Sequence, residues 1–271
     1  MKNRFTKGAG ILAVASIAIL STPFYAHAVL RLAISIDGGP TVIAIDNDTT
    51  NTCASPIVGP CQLPDLNSAV GTLTLGPTTA AGGDLAIQIS TQTQDVAAGG
   101  GLANRIDSTG TQVTNNGTVS HTLSIAVSGT DFMGPSFTAS DTGAGQWSTL
   151  AATGAFGQSA IIMRWFDDPA NGQGGVSAGA SQPGNLLDTF TENAGPANPD
   201  SFSHNGGPFA VNDPGPFSMT VQFDATIGPG VRLTGRQQTE IKPDDAPVPA
   251  PSALLLLGSA LGLLAWRRWS N

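Results

Sequence analysis

The stretch FSMTVQFDA, residues 217–225, alternates without a break. Phe217, Met219, Val221, Phe223 and Ala225 are apolar, and Ser218, Thr220, Gln222 and Asp224 between them are polar. A period of two puts the two sets on opposite faces of an extended chain, whereas a helix would mix them. The pattern recurs: LRLAISI (30–36) groups Leu30, Leu32, Ile34 and Ile36, and DLAIQIS (84–90) groups Leu85, Ile87 and Ile89. TVSHTLSIAV (118–127) groups Val119, His121, Leu123, Ile125 and Val127. Runs at 41–46, 70–75, 145–151, 186–191 and 231–240 read the same way, and AIIMRWF (160–166), apolar on both faces apart from Arg164, suits a central strand.

Turn-forming clusters separate these runs: IDGGP, AAGGGL, NNGT, GPANPD and DPGP. No amphipathic helix is evident between the two termini. Many short strands joined by Gly/Pro turns predict an all-β fold, an antiparallel β-sandwich or jelly-roll-like domain. Residues 167–184 and 192–215, rich in Gly, Pro and Asn, are expected to be long exposed loops. The pairs Thr72/Thr74, Thr91/Thr93 and Thr109/Thr111 lack the regular spacing of a flat ice-binding face and read as ordinary strand threonines. No repeat period appears.

The first 28 residues have another character. Lys2, Arg4 and Lys7 precede an apolar stretch from Ile11 to Leu20, and Ala26-His27-Ala28 follows. This is the order of a secretory signal peptide, with cleavage expected after Ala28. The chain then divides into a signal peptide (1–28), a β-sandwich ectodomain (29–241), a Pro-rich linker (242–252) and an apolar tail (253–271). Between the termini only Arg31, Arg105, Arg164, Arg232, Arg236 and Lys242 oppose all 19 Asp and Glu residues. That excess of negative charge disfavours nucleic acid and anionic lipid as partners. Cys53 and Cys61, the two cysteines of TCASPIVGPCQ, suit one disulfide in an exported protein. Structural zinc would need a second Cys/His pair nearby, and none is present.

The linker opens with KPDDAPVPAP, residues 242–251, an extended stretch, and the tail that follows carries no charge from Ala253 to Trp266. As a helix those residues would cover about 21 Å, against about 30 Å of hydrocarbon, a short span that Trp266 and Trp269 would carry into the interface. Arg267 and Arg268 then hold that end in the cytoplasm. Val248, Pro249, Pro251 and Ser252, followed by LLLLGSALGLLAW and the arginine pair, resemble the PEP-CTERM sorting signal of Gram-negative bacteria: a V-P-x-P-S-like motif, a short Leu/Gly-rich helix and a terminal Arg cluster. Ala250 stands where the family usually has Glu. The resemblance covers about 24 residues. It implies processing by an exosortase, a membrane-embedded cysteine transpeptidase, in a setting of extracellular polysaccharide or biofilm. A plain membrane anchor is the alternative; the L-P-x-T-G of a cell-wall sortase is absent.

Several residue constellations could carry chemistry. Gly175-Val176-Ser177-Ala178-Gly179 matches G-x-S-x-G, and Asp188 or Asp200 and then His204 follow in hydrolase order. That motif works where a strand turns sharply into a helix, and none is expected after this Gly-rich stretch. Calcium has weak candidates in Asp46 and Asp48 and in Asp167, Asp168 and Asn171, although neither run fits an EF-hand loop. His121 is expected on the apolar face of its strand and His204 in a loop, neither with a carboxylate at metal-ligand spacing. For sugar stacking, Trp147 with Asp and Asn side chains is the available aromatic; Phe reads as core. The sequence thus predicts an exported, exosortase-sorted protein with no cofactor, acting as a structural or adhesive matrix component. A polysaccharide-binding module is the alternative, and a secreted serine hydrolase the remote one.

Overall fold

The computed structural model describes residues 29–54, 59–94, 104–132, 136–151, 156–176, 182–213 and 215–242. The signal peptide with Ala26 and Ala28, the sorting residues Val248, Pro249, Pro251, Ser252, Arg267 and Arg268, and Ser177 lie outside them. Thirteen strands follow in chain order. They are β1 (Val29–Ile36), β2 (Val42–Ile45), β3 (Cys61–Gln62), β4 (Thr72–Ala80), β5 (Leu85–Gln94), β6 (Asn104–Asn115) and β7 (His121–Phe132). The rest are β8 (Ser136–Thr149), β9 (Ala160–Asp168), β10 (Asn185–Asn193), β11 (Asp200–Asp213), β12 (Phe217–Ile227) and β13 (Val231–Lys242). Among the described residues the one helical segment is a 3₁₀ turn at Ala81–Gly83.

The strands form two sheets, one in the order β10-β9-β12-β7-β1-β2-β3 and the other β11-β8-β13-β6-β5-β4. All pairings are antiparallel except β2 with β3. The sheets face each other as a β-sandwich. Phe217, Met219, Val221 and Phe223 of β12 enter the core as their alternation predicts, together with Leu30, Leu32 and Ile34 of β1 and Leu85, Ile87 and Ile89 of β5. Cys53 and Cys61 are joined in a disulfide that ties the segment after β2 to β3.

Several expectations are overturned. Residues 192–215 are not a long loop: β11 runs through them, paired along β8. This strand is hard to recognise because its partner is glycine-rich for a packing reason. A Cβ at Gly145 would overlap the Phe202 ring, and one at Gly143 would overlap Met163 and crowd Trp165. Strand β6 escapes the apolar alternation because buried polar residues, Asn104, Ser108, Thr111 and Asn115, occupy it. Val119 does not share the face of His121; β7 starts only at His121, and Val119 is 56% exposed.

The segment after β9 is not an exposed loop either. It crosses the outer face of the seven-stranded sheet, where Ser218 Oγ donates to the Gly172 carbonyl and Gly174 N donates to Ser128 Oγ. Gln182 Nε2 donates to Gln222 Oε1, and Thr41 Oγ1 donates to the Val176 carbonyl. Val176 is buried with Ala33 and Ala126 in a small apolar cluster. The polar half of the β12 pattern is therefore covered rather than solvated, and it supplies the hydrogen bonds that a buried backbone segment requires.

Candidate functional site

One end of the sandwich departs from an apolar core. Strands β10 and β11 are the edges of their respective sheets and lie on the same side. Both carry register shifts, between Leu186 and Asp188 on β10 and between Gly206 and Phe209 on β11. Bulges of this kind re-aim side chains and recur at sheet edges next to functional sites.

Three chemistry-bearing side chains converge there: Asp141 from β8, Asp188 from β10 and His204 from β11, with their ligand atoms within 4.8 Å of one another. His204 Nε2 lies 2.7 Å from Asp188 Oδ2 and 3.6 Å from Asp141 Oδ1. The imidazole stacks on Trp165 with ring centres 5.3 Å apart and on Phe190 at 4.9 Å, which fixes its plane. Asp141 is only 2% exposed, and neither of its carboxylate oxygens closes a hydrogen bond. Burial pushes its carboxyl up to about 6, helped by the nearby Asp188 charge; His204 and the Gly206 amide across the strand pair oppose the rise. Gly206 is required by close approach, since a Cβ there would overlap both Asp188 Oδ2 and Asp141 Oδ1.

A second acidic group sits one strand-length away. Asp167, at the end of β9, and Asp213, at the end of β11, are both buried. Burial and the Asp167 charge push the Asp213 carboxyl up to about 7, and Asp167 is raised as well, chiefly by burial. The Asp168 charge adds to the rise in both. Beside them an open groove of about 1000 Å³ runs between the edge strands, lined by Asp167, Asn185, Leu186, Pro208, Phe209 and Asn212. A shallower depression of about 470 Å³ lies on the outer face of the six-stranded sheet, lined by Gln88, Gln112, Thr234 and Arg236 among others.

The structure separates most of the other candidates. Asp46 accepts from the Gly71 amide, whereas Asp48 accepts from Thr50, so the two carboxylates have different partners. Asp168 caps the turn that follows it by accepting from Ala170 N and Gly172 N, and Asn171 bonds Asp131. Trp147 is 0% exposed and offers no face to a sugar; the ring on the groove is the half-buried Phe209. His121 opens β7, with Nδ1 2.8 Å from Asp37 Oδ2 and Nε2, buried without a hydrogen bond, 3.5 Å from Asp84 Oδ2. His204 is on a strand rather than in a loop, and Asp188 and His204, suggested in the hydrolase order, do meet. Val176, the neighbour of Ser177, is held on the outer face of its sheet, while His204 stacks on the inward-facing Trp165.

Asp141 and Asp213 were not singled out in the sequence, and Asp167 only as a weak calcium candidate, yet a signal existed for a buried role. Asp141 shares its phase with Ala139, Gly143, Gly145 and Trp147, and Asp167 with Ile161, Met163 and Trp165. A carboxylate in step with inward-facing residues belongs between the sheets.

No family model and no curated protein matches the chain. Among solved structures, the module TmCBM61 in complex with β-1,4-galactotriose aligns at 6% identity and a TM-score of 0.30, covering 56% of this chain and 81% of that one. The enzymatically active domain of bacteriophage CBA120 tailspike protein 4 aligns at 11% identity and a TM-score of 0.26, over 54% of this chain and 17% of that one. A chain of infectious bursal disease virus, Gx strain, aligns at 11% identity and 0.24, over 83% of this chain and 53% of that one. Superpositions this loose assign no ligand.

Proposed function

We propose that this protein is an exported surface or extracellular-matrix component, sorted through its PEP-CTERM-like tail by an exosortase. In this reading its sandwich contacts extracellular polysaccharide without catalysis. The observation that carries the sugar contact is the groove at the β10–β11 edge. It sets the partly exposed ring of Phe209 and the apolar surfaces of Leu186 and Pro208 beside Asp167, Asn185 and Asn212. Sugars present apolar ring faces and hydroxyl edges together, and aromatic and amide groups answer both. The depression on the outer face of the other sheet has no aromatic ring, so the edge groove is preferred.

Paired carboxyls beside such a groove would suit a glycosidase, one as acid and the other as base or nucleophile. Asp213, however, is 0% exposed and would have no surface with which to touch a glycosidic oxygen. A binding role is therefore favoured over hydrolysis. The test is affinity electrophoresis and a glycan array with the wild-type chain, Phe209→Ala and Arg236→Ala. Selective retention lost in Phe209→Ala alone supports the edge groove. Retention lost in Arg236→Ala alone moves the contact to the other face, and no selective ligand leaves a purely structural matrix protein.

A further inference from the structure

We propose that Asp141, Asp188 and His204 bind a single divalent transition-metal ion of the zinc class at the β10–β11 edge of the sandwich. The site is independent of the glycan reading. It rests on the convergence of three side chains from three different strands, and on a buried carboxylate, Asp141, whose oxygens close no hydrogen bond of ordinary geometry.

The donor set selects the ion. One imidazole nitrogen with two carboxylate oxygens suits zinc, which takes N and O ligands in low coordination number. Calcium, for which the sequence offered only weak candidates at other aspartates, wants six to eight oxygens and gains little from an imidazole. Ligand atoms at about 2.0–2.2 Å from a tetrahedral zinc stand roughly 3.3–3.6 Å apart. The present 3.6 Å from His204 to Asp141 already fits, and the 2.7 Å from His204 to Asp188 needs only a small outward movement of Asp188.

The second, separate observation is Asp141 itself. Its side chain is fully buried, both its oxygens lack a hydrogen bond, and Oδ1 points at His204 Nε2. A buried carboxylate with no well-formed hydrogen bond is unfavourable unless something positive stands against it, and His204 at 3.6 Å and the Gly206 amide compensate it only in part. Among the described residues no Arg or Lys pairs with Asp141 or Asp188; His204 is the basic side chain both face, and Asp188 Oδ1 also accepts from the Thr189 amide. One divalent ion held between them would balance both carboxylates. The surroundings suit a fixed site as well. The stacked rings of Trp165 and Phe190 hold the imidazole plane, and Gly206 leaves the space between the two carboxylates that a Cβ would fill. His204 and Asp188 keep 21% and 24% of their side chains exposed, so an ion has a way in and a position left for water.

The full chain, purified in detergent and stripped with chelator, is titrated with Zn²⁺ and separately with Co²⁺ near neutral pH, with Ca²⁺ as the comparator. The expected result is one Zn²⁺ per chain, visible Co²⁺ bands of imidazole–carboxylate coordination, and no comparable Ca²⁺ binding. Asp141→Asn, Asp188→Asn and His204→Gln should each weaken Zn²⁺ by tenfold or more, taking about 10–100-fold as the cost of lesser perturbations around a metal. Asp48→Asn, on an exposed turn, should leave it unchanged. Because a buried variant can fail to fold, a measurement on the wild-type chain accompanies these. Zn²⁺ should protect His204 from diethyl pyrocarbonate, read by mass spectrometry, and leave His121 reactivity as it was. Absence of stoichiometric Zn²⁺ and Co²⁺ binding overturns the site. So does equal affinity in the three ligand variants, or labelling of His204 that zinc does not change.

Discussion

Phe202 on β11 sits directly across from Gly145 on β8, so close that a Cβ on Gly145 would overlap the ring. The same ring lies 6.3 Å from Trp147 and 6.2 Å from Phe190, so one glycine seats an aromatic cluster spanning both sheets. The edge that carries His204 is anchored on this cluster, since Phe190 also stacks on the imidazole.

Gly145→Ala should therefore destabilise by overpacking, by about 1–3 kcal/mol. Urea unfolding followed by tryptophan fluorescence would measure it. The mirror substitution Phe202→Ala should cost more, about 3–5 kcal/mol, because it empties a core position. An unchanged midpoint in both would mean that β11 is not seated as described.

The Asp167–Asp213 pair makes stability depend on pH. Their carboxyls are raised in the folded state, Asp213 from 3.8 to about 7, so the folded chain holds a proton that the unfolded chain releases. Stability should then fall as pH rises from about 4 to about 7, by up to about 1.4 kcal/mol per pH unit for each such proton, and level off above. Asp168, whose charge also presses on the pair, adds to the same direction. Asp213→Asn should flatten that slope and stabilise the chain at pH 7. Urea midpoints collected across this range with chelator present would check it, and a slope unchanged in the variant would refute it.

Removing the Cys53–Cys61 disulfide, closed over a sequence separation of 8, should cost about 2–3 kcal/mol by freeing the unfolded chain. The double variant Cys53→Ser/Cys61→Ser should melt several degrees lower than wild type without reductant and match it when reductant is added. Identical melting without reductant would show that the bridge contributes nothing.

The tail makes a prediction of its own. Released protein should end before residue 253, and mass spectrometry of the secreted material should not find Trp266 to Asn271. Replacing Arg267 and Arg268 with Ala should interfere with retention and reduce the processed form. An intact C-terminus on the released protein would return the tail to a simple anchor.

Alternation alone was enough to read an all-β sandwich, because burying one face of a strand imposes a period of two wherever that face is apolar. β1, β5, β9 and β12 were legible for that reason, and the disulfide followed from two cysteines in one short segment. β6 and β11 were not, because their inward positions hold Asn, Ser, Thr, His and Asp, or lie against glycines that make room for a ring on another strand. The loop after β9 read as exposed because polar residues answer equally well to water or to another backbone, and here Ser128 and Ser218 answer to backbone.

Residue types and their phase thus decided the fold class, and placed Asp141 and Asp167 in step with the core had the phase been followed. Only the tertiary structure decided that β10 and β11 are neighbouring edges, and so that Asp141, Asp188 and His204 meet. Strand order is set by long-range sheet pairing and by complementary shapes such as Phe202 over Gly145, and no local spacing records either. A site assembled from three strands of two sheets is invisible until those sheets are stacked.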